Sequence, residues 1–153
     1  QYEKAVIKSR FAAWIPLVKS LADAEEQYYL ANGQYTDNLE DLDVTLPSSL
    51  KQTNDTTTIC AGTTAYKNED GSVQVGFAWN RTTLIGVQVV FPQQKIGYRI
   101  VFQNYNGGVI PKNLWGKSFC MDFSSTPKIF CPWLTGETQL AIAPFWCGYW
   151  YLM

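Results

Sequence analysis

Residues 1–33 carry the clearest pattern of apolar and polar positions in the chain. Apolar or small side chains recur at helical spacing at positions 2, 6, 9, 13, 17, 21, 24 and 28. A second row at 5, 12, 15, 18, 22 and 29 widens this stripe, and most charged residues fall on the other side. Gly33 suits the left-handed position that follows a helix. The pattern predicts one long helix whose inner stripe packs on the chain's own sheet: Val6, Ala13, Leu17, Ala24 and Tyr28.

The beginning and the middle of this helix each carry a further signal. The pattern is complete from its second residue and has no N-cap, which predicts that a segment preceding Gln1 was removed. A mature chain whose helix begins at this point is the alternative. Pro16 removes one backbone donor, so we expect a bend at residues 12–16 within one helix, because the stripe continues in phase.

Phe11 and Trp14 lie off the main stripe, where an ordinary surface would leave them as an apolar patch. They contact either the chain's own sheet or a neighbouring subunit. Together with the basic residues Lys8 and Arg10, they are the candidates for contacts between subunits.

From residue 59 onward the apolar period changes to two, which predicts strands near 59–66, 72–79, 84–91 and 96–103. The short connections between them predict an antiparallel meander. Before the strands, Asp37 and Glu40 have capping-box spacing, which predicts a short helix near 38–42. A sheet with one apolar face needs a cover, so the predicted fold class is α+β, with the long N-terminal helix packed on the antiparallel sheet.

One domain is expected over residues 1–153, in four parts. These are a long helix (1–33), a connecting loop (34–58), the sheet (59–103) and an irregular, aromatic and cysteine-rich C-terminal region (104–153). A final strand near 147–152 could rejoin the sheet.

Composition favours an extracellular protein or a packed assembly over a cytosolic enzyme. Only 16% of the residues are charged, against a usual ~25%, and 46% are hydrophobic. The net charge of −1 gives no global support for binding to nucleic acid. The charge is uneven, because residues 1–43 hold 4 basic and 8 acidic groups and the remainder 8 basic and 5 acidic. This difference in charge either contributes to the packing of subunits or has no function.

Four cysteines, at widely spaced positions, are more typical of disulfides than of a metal site: Cys60, Cys120, Cys131 and Cys147. The absence of histidine excludes mixed Cys/His zinc sites, and no close cysteine pair suggests an all-cysteine site. Three pairings are open, and four buried thiols are the alternative. A Cys120–Cys131 bond would contribute roughly 2–3 kcal/mol and leave Cys60 to pair with Cys147.

The residues predict no chemical site. Without histidine or a phosphate-binding loop, we expect no catalytic residue, no cofactor and no enzymatic activity. The acidic residues Asp37, Glu40, Asp41 and Asp43 lack EF-hand spacing, so helix capping and solvation are favoured over calcium binding, and no metal site is predicted. The aromatic C-terminal region either forms core or stacks on sugars, and core is favoured.

The stretches QYEKAVIKSR and PLVKSLADAEEQYYLANGQYTDNLEDLDV resemble bacterial type IV pilin-like proteins, the prepilins and pseudopilins. The resemblance covers residues 1–44 and implies the pilin fold, with the helix continuing into a hydrophobic N-terminal segment. The pair Cys120 and Cys131 resembles the family's C-terminal disulfide-bounded region. Cys60 and Cys147 go beyond the family's simple one-disulfide pattern.

The function that this resemblance implies is structural: a subunit of a type IV pilus or secretion pseudopilus filament that lacks its hydrophobic N-terminal segment. The alternative is a minor tip pilin or adhesin that binds through the aromatic C-terminal region. The implied partners are further copies of the chain in helical filaments, other pilins and the inner-membrane assembly machinery. Membrane contact is expected only through the missing segment, and no nucleic acid is expected. The implied location is a cell-surface, extracellular filament assembled from the inner membrane and periplasm.

Overall fold

A computed structural model describes residues 2–53, 65–80, 83–124, 130–137, 139–145 and 148–153. Two α-helices and eight strands follow one another along these residues, with short 3-10 helices at Leu39–Asp41 and Lys112–Leu114. Their bounds are α1 (Tyr2–Asn32), β1 (Lys51–Thr53), β2 (Ala65–Lys67), β3 (Gln74–Asn80), β4 (Thr83–Phe91), β5 (Ile96–Val101), β6 (Ser118–Asp122), α2 (Phe130–Thr135), β7 (Ile142–Phe145) and β8 (Gly148–Leu152).

All eight strands belong to one antiparallel sheet in the order β1-β2-β3-β4-β5-β6-β8-β7. The first six strands form a meander, and β8 then pairs with β6 so that β7 lies at the edge. Gly86 permits a close approach between β4 and β5, because a Cβ there would collide with the backbone carbonyl of Ile100 in β5.

The helix α1 packs on the central strands β4 and β5 through one face. Its buried side chains include Ile7, Phe11, Val18 and Leu21, which meet the inward residues of the sheet. The predicted inner stripe is only partly confirmed: Leu17, Ala24 and Tyr28 are half-buried and pack against this core, whereas Val6 is half-buried and Ala13 is exposed. The buried face lies about one position further along, a rotation of roughly 100°. Large side chains decide the orientation because they bury more apolar area than alanine does.

The opposite face of the sheet is also buried. Ile110 and Leu114, on the segment that follows β5, pack on Phe119 and Trp150 from β6 and β8. Both faces of the central strands are thus buried, and the second face also encloses the polar pair Gln88 and Arg99.

The predicted fold class is contradicted by the C-terminal region. Residues 104–153 do not form a separate, disulfide-bounded region beside a meander, because they supply β6, β7 and β8 to the same sheet. The Cys120–Cys131 disulfide lies inside the core and joins β6 to α2, with both cysteines fully buried. What the structure supports is coarser: a long N-terminal helix, an antiparallel sheet and this disulfide, which agree only in part with a pilin-like fold.

Some of the other predicted elements agree with the structure and others differ from it. The structure has strands close to the predicted ranges 72–79, 84–91, 96–103 and 147–152, whereas residues 59–64 of the first predicted strand lie outside the described residues. The α1 helix continues through Pro16. The short helix near 38–42 is a 3-10 turn capped by Asn38, whose side chain accepts from the Glu40 amide, and not by Asp37.

Candidate functional site

A cleft opens at the C-terminal end of α1, and its first wall follows from how that helix ends. The Gly33 amide donates to the carbonyl of Tyr29 at 2.7 Å, and the φ of +72° at Gly33 turns the chain back. Tyr35 therefore returns to the helix, where its ring stacks between those of Tyr29 and Phe102 at centroid distances of 4.7 and 3.9 Å. The turn after α1 is thereby fixed against the end of β5.

Polar contacts hold this wall in place. The Tyr35 hydroxyl donates to Glu26 at 2.8 Å and accepts from the Asn104 amide at 2.9 Å. The second carboxylate oxygen of Glu26 accepts from the Gln103 amide at 3.0 Å. Burial and the neighbouring Glu26 raise the pKa of Tyr35, so its phenol stays protonated and keeps donating. One carboxylate thus links the helix, the turn and the segment after β5.

Beside this wall, Glu25 is completely buried on the sheet-facing side of α1. One of its carboxylate oxygens accepts from the Thr36 amide at 3.0 Å, and the other has no partner among the described residues. Burial raises the pKa of Glu25 to about 8, opposed by the Thr36 amide and reinforced by the acids Glu26, Asp37 and Asp41. The carboxyl is therefore largely neutral at pH 7.

The cleft itself has a volume of about 710 Å³. Its lining combines aromatic rings, among them Tyr28 and Trp79, with the carboxylates of Asp37 and Asp41. Tyr105, which also lines the cleft, is only 4% exposed. Its hydroxyl and the indole nitrogen of Trp79 are both buried without a hydrogen-bond partner in the described part of the chain. Such a lining suits the binding of a small polar molecule.

The predicted subunit contacts lie elsewhere, along the first half of α1. Phe11 is 1% exposed and contacts Phe91, Tyr98 and Phe130, so its prediction as a subunit contact is wrong. The ring is large and points at the sheet, which makes it a core residue.

The other three candidates all have contacts within the chain. Trp14 is half-buried against the core, and Arg10 donates to the side chain of Gln94 at 3.0 Å. Lys8 is exposed, with its ammonium 5.8 Å from the ring centre of Trp133. These contacts leave their role between subunits a prediction.

The C-terminal aromatics mostly form core, where the structure describes them. Phe119 and Trp150 are fully buried, so a Trp150→Ala variant would test folding and not ligand capture. Trp133 in α2 is 46% exposed. Trp146, Cys60 and Cys147 lie outside the described residues, so the structure does not test the second predicted disulfide.

The acidic residues after α1 make local contacts. Asp41 accepts from the Thr36 hydroxyl at 2.7 Å, and Asp37 lines the cleft. Within the described ranges, no group of three or more ligating side chains is placed to hold a metal ion. None of the described helices is both long and apolar enough to cross a membrane.

The sequence singled out Tyr28, Asp37 and Asp41 for other reasons, but it did not single out Glu25, Trp79 or Tyr105. Glu25 was recognisable in principle, because it continues the helical row of Val18, Leu21 and Ala22 and so places a carboxyl on the apolar face. Trp79 and Tyr105 carried no such signal, because nothing in their spacing indicates that they line one cleft.

Comparison with known proteins found no similar protein. No family model matches the chain, and no match was found among curated proteins or solved structures.

Proposed function

We propose that the chain is a structural subunit of a bacterial type IV pilus or pseudopilus filament, held together by packing between the α1 helices of neighbouring copies. The observation that carries the proposal is the face of α1 turned away from the sheet. Small side chains are exposed along its first half, at Ala5, Ser9, Ala12, Ala13 and Pro16. Side chains of this size allow a second helix to approach closely.

Two further features support this proposal. The resemblance of residues 1–44 to pilin-like proteins covers the same helix. The charge is also complementary between surfaces: Asp23 and Asp43 are exposed near the end of α1, whereas Lys112 and Lys117 are exposed on the far side of the sheet. Opposite charges on different faces favour contacts between one copy and the next.

A bulky charge on the exposed face of α1 tests the proposal. We would introduce Ala12→Arg into the encoded protein in its bacterial host and measure surface filaments by electron microscopy and immunoblotting. Arginine forms helices nearly as well as alanine, and Ala12 is exposed, so the fold should change in stability by less than about 0.5 kcal/mol. We expect filaments to be lost while the melting temperature of the purified domain is kept.

Ser48→Arg provides the matched control, because Ser48 is exposed in the turn before β1 and belongs neither to the exposed face of α1 nor to the surface of Lys112 and Lys117. This variant should still assemble. Absence of the wild-type chain from purified filaments, or normal assembly of Ala12→Arg, would refute the proposal.

A further inference from the structure

We infer that neighbouring copies of the chain meet head to tail: a basic and aromatic patch on one copy, formed by Lys4, Lys8 and Trp133, lies in an acidic groove at the C-terminal half of α1 on the next. This inference rests on the proposed filament and names the surfaces that join its subunits. The patch and the groove lie at opposite halves of the same helix, and each offers what the other lacks.

The basic and aromatic patch lies where the first turns of α1 meet α2. The ammonium groups of Lys4 and Lys8 lie 5.5 and 5.8 Å from the ring centre of Trp133. Like charges one helical turn apart repel each other, and neither lysine is paired with a carboxylate in the part of the chain that the structure describes. The indole of Trp133 is 46% exposed. The patch therefore offers two cations without a counter-charge around an apolar surface.

The acidic groove lies between the second half of α1 and the segment 41–44, and its volume is about 620 Å³. Its lining includes three aspartates and three apolar residues: Asp23, Asp41, Asp43, Ala24, Leu42 and Val44. Asp23 and Asp43 are exposed, and neither is paired with a basic side chain among the described residues. The groove thus offers carboxylates beside apolar surface, which complements the patch in charge and in polarity.

A second copy is favoured over an anionic membrane surface as the partner of the patch. Lipid headgroups would neutralise Lys4 and Lys8, but they would leave the groove without a cation. A second copy satisfies both surfaces with a single contact.

The positions of the two surfaces along α1 allow the contact to repeat from copy to copy. Lys8 and Asp23 lie about four helical turns apart, roughly 22 Å along the axis. Because the two surfaces differ, each contact leaves a free patch on one copy and a free groove on the other, so further copies add in one direction. Between the two surfaces, the exposed small residues Ala12 and Pro16 leave room for a neighbouring helix.

An exchange of charges at one pair of residues tests the contact. The encoded protein is produced in its bacterial host as Lys8→Glu, as Asp23→Lys and as the double variant, and surface filaments are measured by electron microscopy and immunoblotting. Each single variant brings like charges together, so filaments should fall at least tenfold. The double variant restores an opposite pair and should recover most of the wild-type amount. Both residues are exposed, so the melting temperatures of the purified domains should agree within a few degrees.

Lys8→Glu combined with Glu69→Lys is the matched control. It has the same net charge as the double variant, but the exposed Glu69 lies in the turn between β2 and β3, outside both surfaces. This combination should not recover filaments.

Carbodiimide cross-linking of purified wild-type filaments, followed by peptide mass spectrometry, observes the contact directly. The reagent joins an amine to a carboxylate with loss of water and adds no spacer, so the two groups must touch. Within one chain Lys8 and Asp23 are roughly 22 Å apart, so a bond between them forms only between copies. We expect Lys4 or Lys8 to be joined to Asp23 or Asp43.

The inference is overturned if Lys8→Glu assembles like the wild type, if the double variant recovers no more filaments than the matched control, or if no such cross-link forms. It is also overturned if the purified domain forms a closed dimer that Lys8→Glu abolishes. Binding of the domain to vesicles of phosphatidylcholine and phosphatidylglycerol through Lys8, with normal assembly of Lys8→Glu, would assign the patch to a membrane instead. Absence of the wild-type chain from filaments would refute the proposed function, and this inference with it.

Discussion

Replacement of Glu25 by glutamine should remove a pH dependence from the stability of this protein. The Glu25 carboxyl is fully buried, and its pKa is raised from 4.5 to about 8, chiefly by burial. The folded state therefore holds a proton that the unfolded chain releases above pH 4.5. The contribution of the neutral carboxyl to the free energy of unfolding is fully present below pH 4.5. It is lost as the pH rises from 4.5 toward 8.

The size of this loss follows from the interval between the two pKa values. At about 1.4 kcal/mol per pH unit, the full interval gives an upper limit of about 5 kcal/mol. Relaxation of the protein and entry of water around a newly charged buried group lower the effective cost, so we expect about half of this limit, roughly 2–3 kcal/mol. Such a loss is a large part of the ~5–15 kcal/mol that stabilises a typical domain.

Urea unfolding between pH 4.5 and 9 measures the effect. The Glu25→Gln side chain keeps an oxygen that can accept from the Thr36 amide. It also replaces the orphaned hydroxyl of the protonated acid by an amide NH₂. The variant and the wild type should therefore agree within about 1 kcal/mol at pH 4.5. At pH 9 the variant should be the more stable by roughly 2–3 kcal/mol.

Asp23→Asn is the control, because Asp23 is an exposed acid on the same helix and should leave the slope unchanged. The reasoning fails if the wild-type stability is flat across this range, or if Glu25→Gln loses stability with pH as steeply as the wild type does.

Two further variants test the core. Phe11→Ala should destabilise the domain by about 3–5 kcal/mol in urea unfolding, because the ring fills a site among Phe91, Tyr98 and Phe130; a loss below 1 kcal/mol would show that the ring is not core. The second concerns Arg99, a completely buried cation that donates to Gln88 and whose third nitrogen has no partner among the described residues. Burial lowers the pKa of Arg99 to about 9, which shows that the charge is costly at this site. The double variant Arg99→Met with Gln88→Leu should therefore be at least as stable as the wild type. The single variant Arg99→Met should be less stable than the double variant, because it leaves Gln88 buried without Arg99. A double variant less stable than Arg99→Met would contradict this.

The sequence predicted an element well where a single structural reason explains the pattern of its residues. The extent of α1 followed from unbroken helical spacing and from Gly33, and the structure ends the helix at Asn32. Which face of α1 is buried did not follow, because alanines and larger apolar residues surround much of the helix. Their spacing alone gave them equal weight, whereas burial favours the larger side chains.

The strand β6 was missed because both of its faces are buried. Its helix side carries Cys120, and its other side carries Phe119 and Met121, so the segment shows no alternation of apolar and polar residues. The cleft was missed for a different reason. It joins Tyr35, Trp79 and Tyr105, which are far apart in sequence and come together only through the end of the sheet.

The short helix α2 gives the domain a route for mechanical load. Trp133 lies under the ammonium groups of Lys4 and Lys8 at 5.5 and 5.8 Å, and Phe130 packs on Phe11 at 5.5 Å. The neighbouring Cys131 is bonded covalently to Cys120 in β6, which is paired on both sides within the sheet. A pull on the first turns of α1 would therefore be carried by the packing of α1 on β4 and β5 and, in addition, by α2 and one covalent bond into β6. Tension would be shared by many strand hydrogen bonds at once, instead of peeling the helix away from its end.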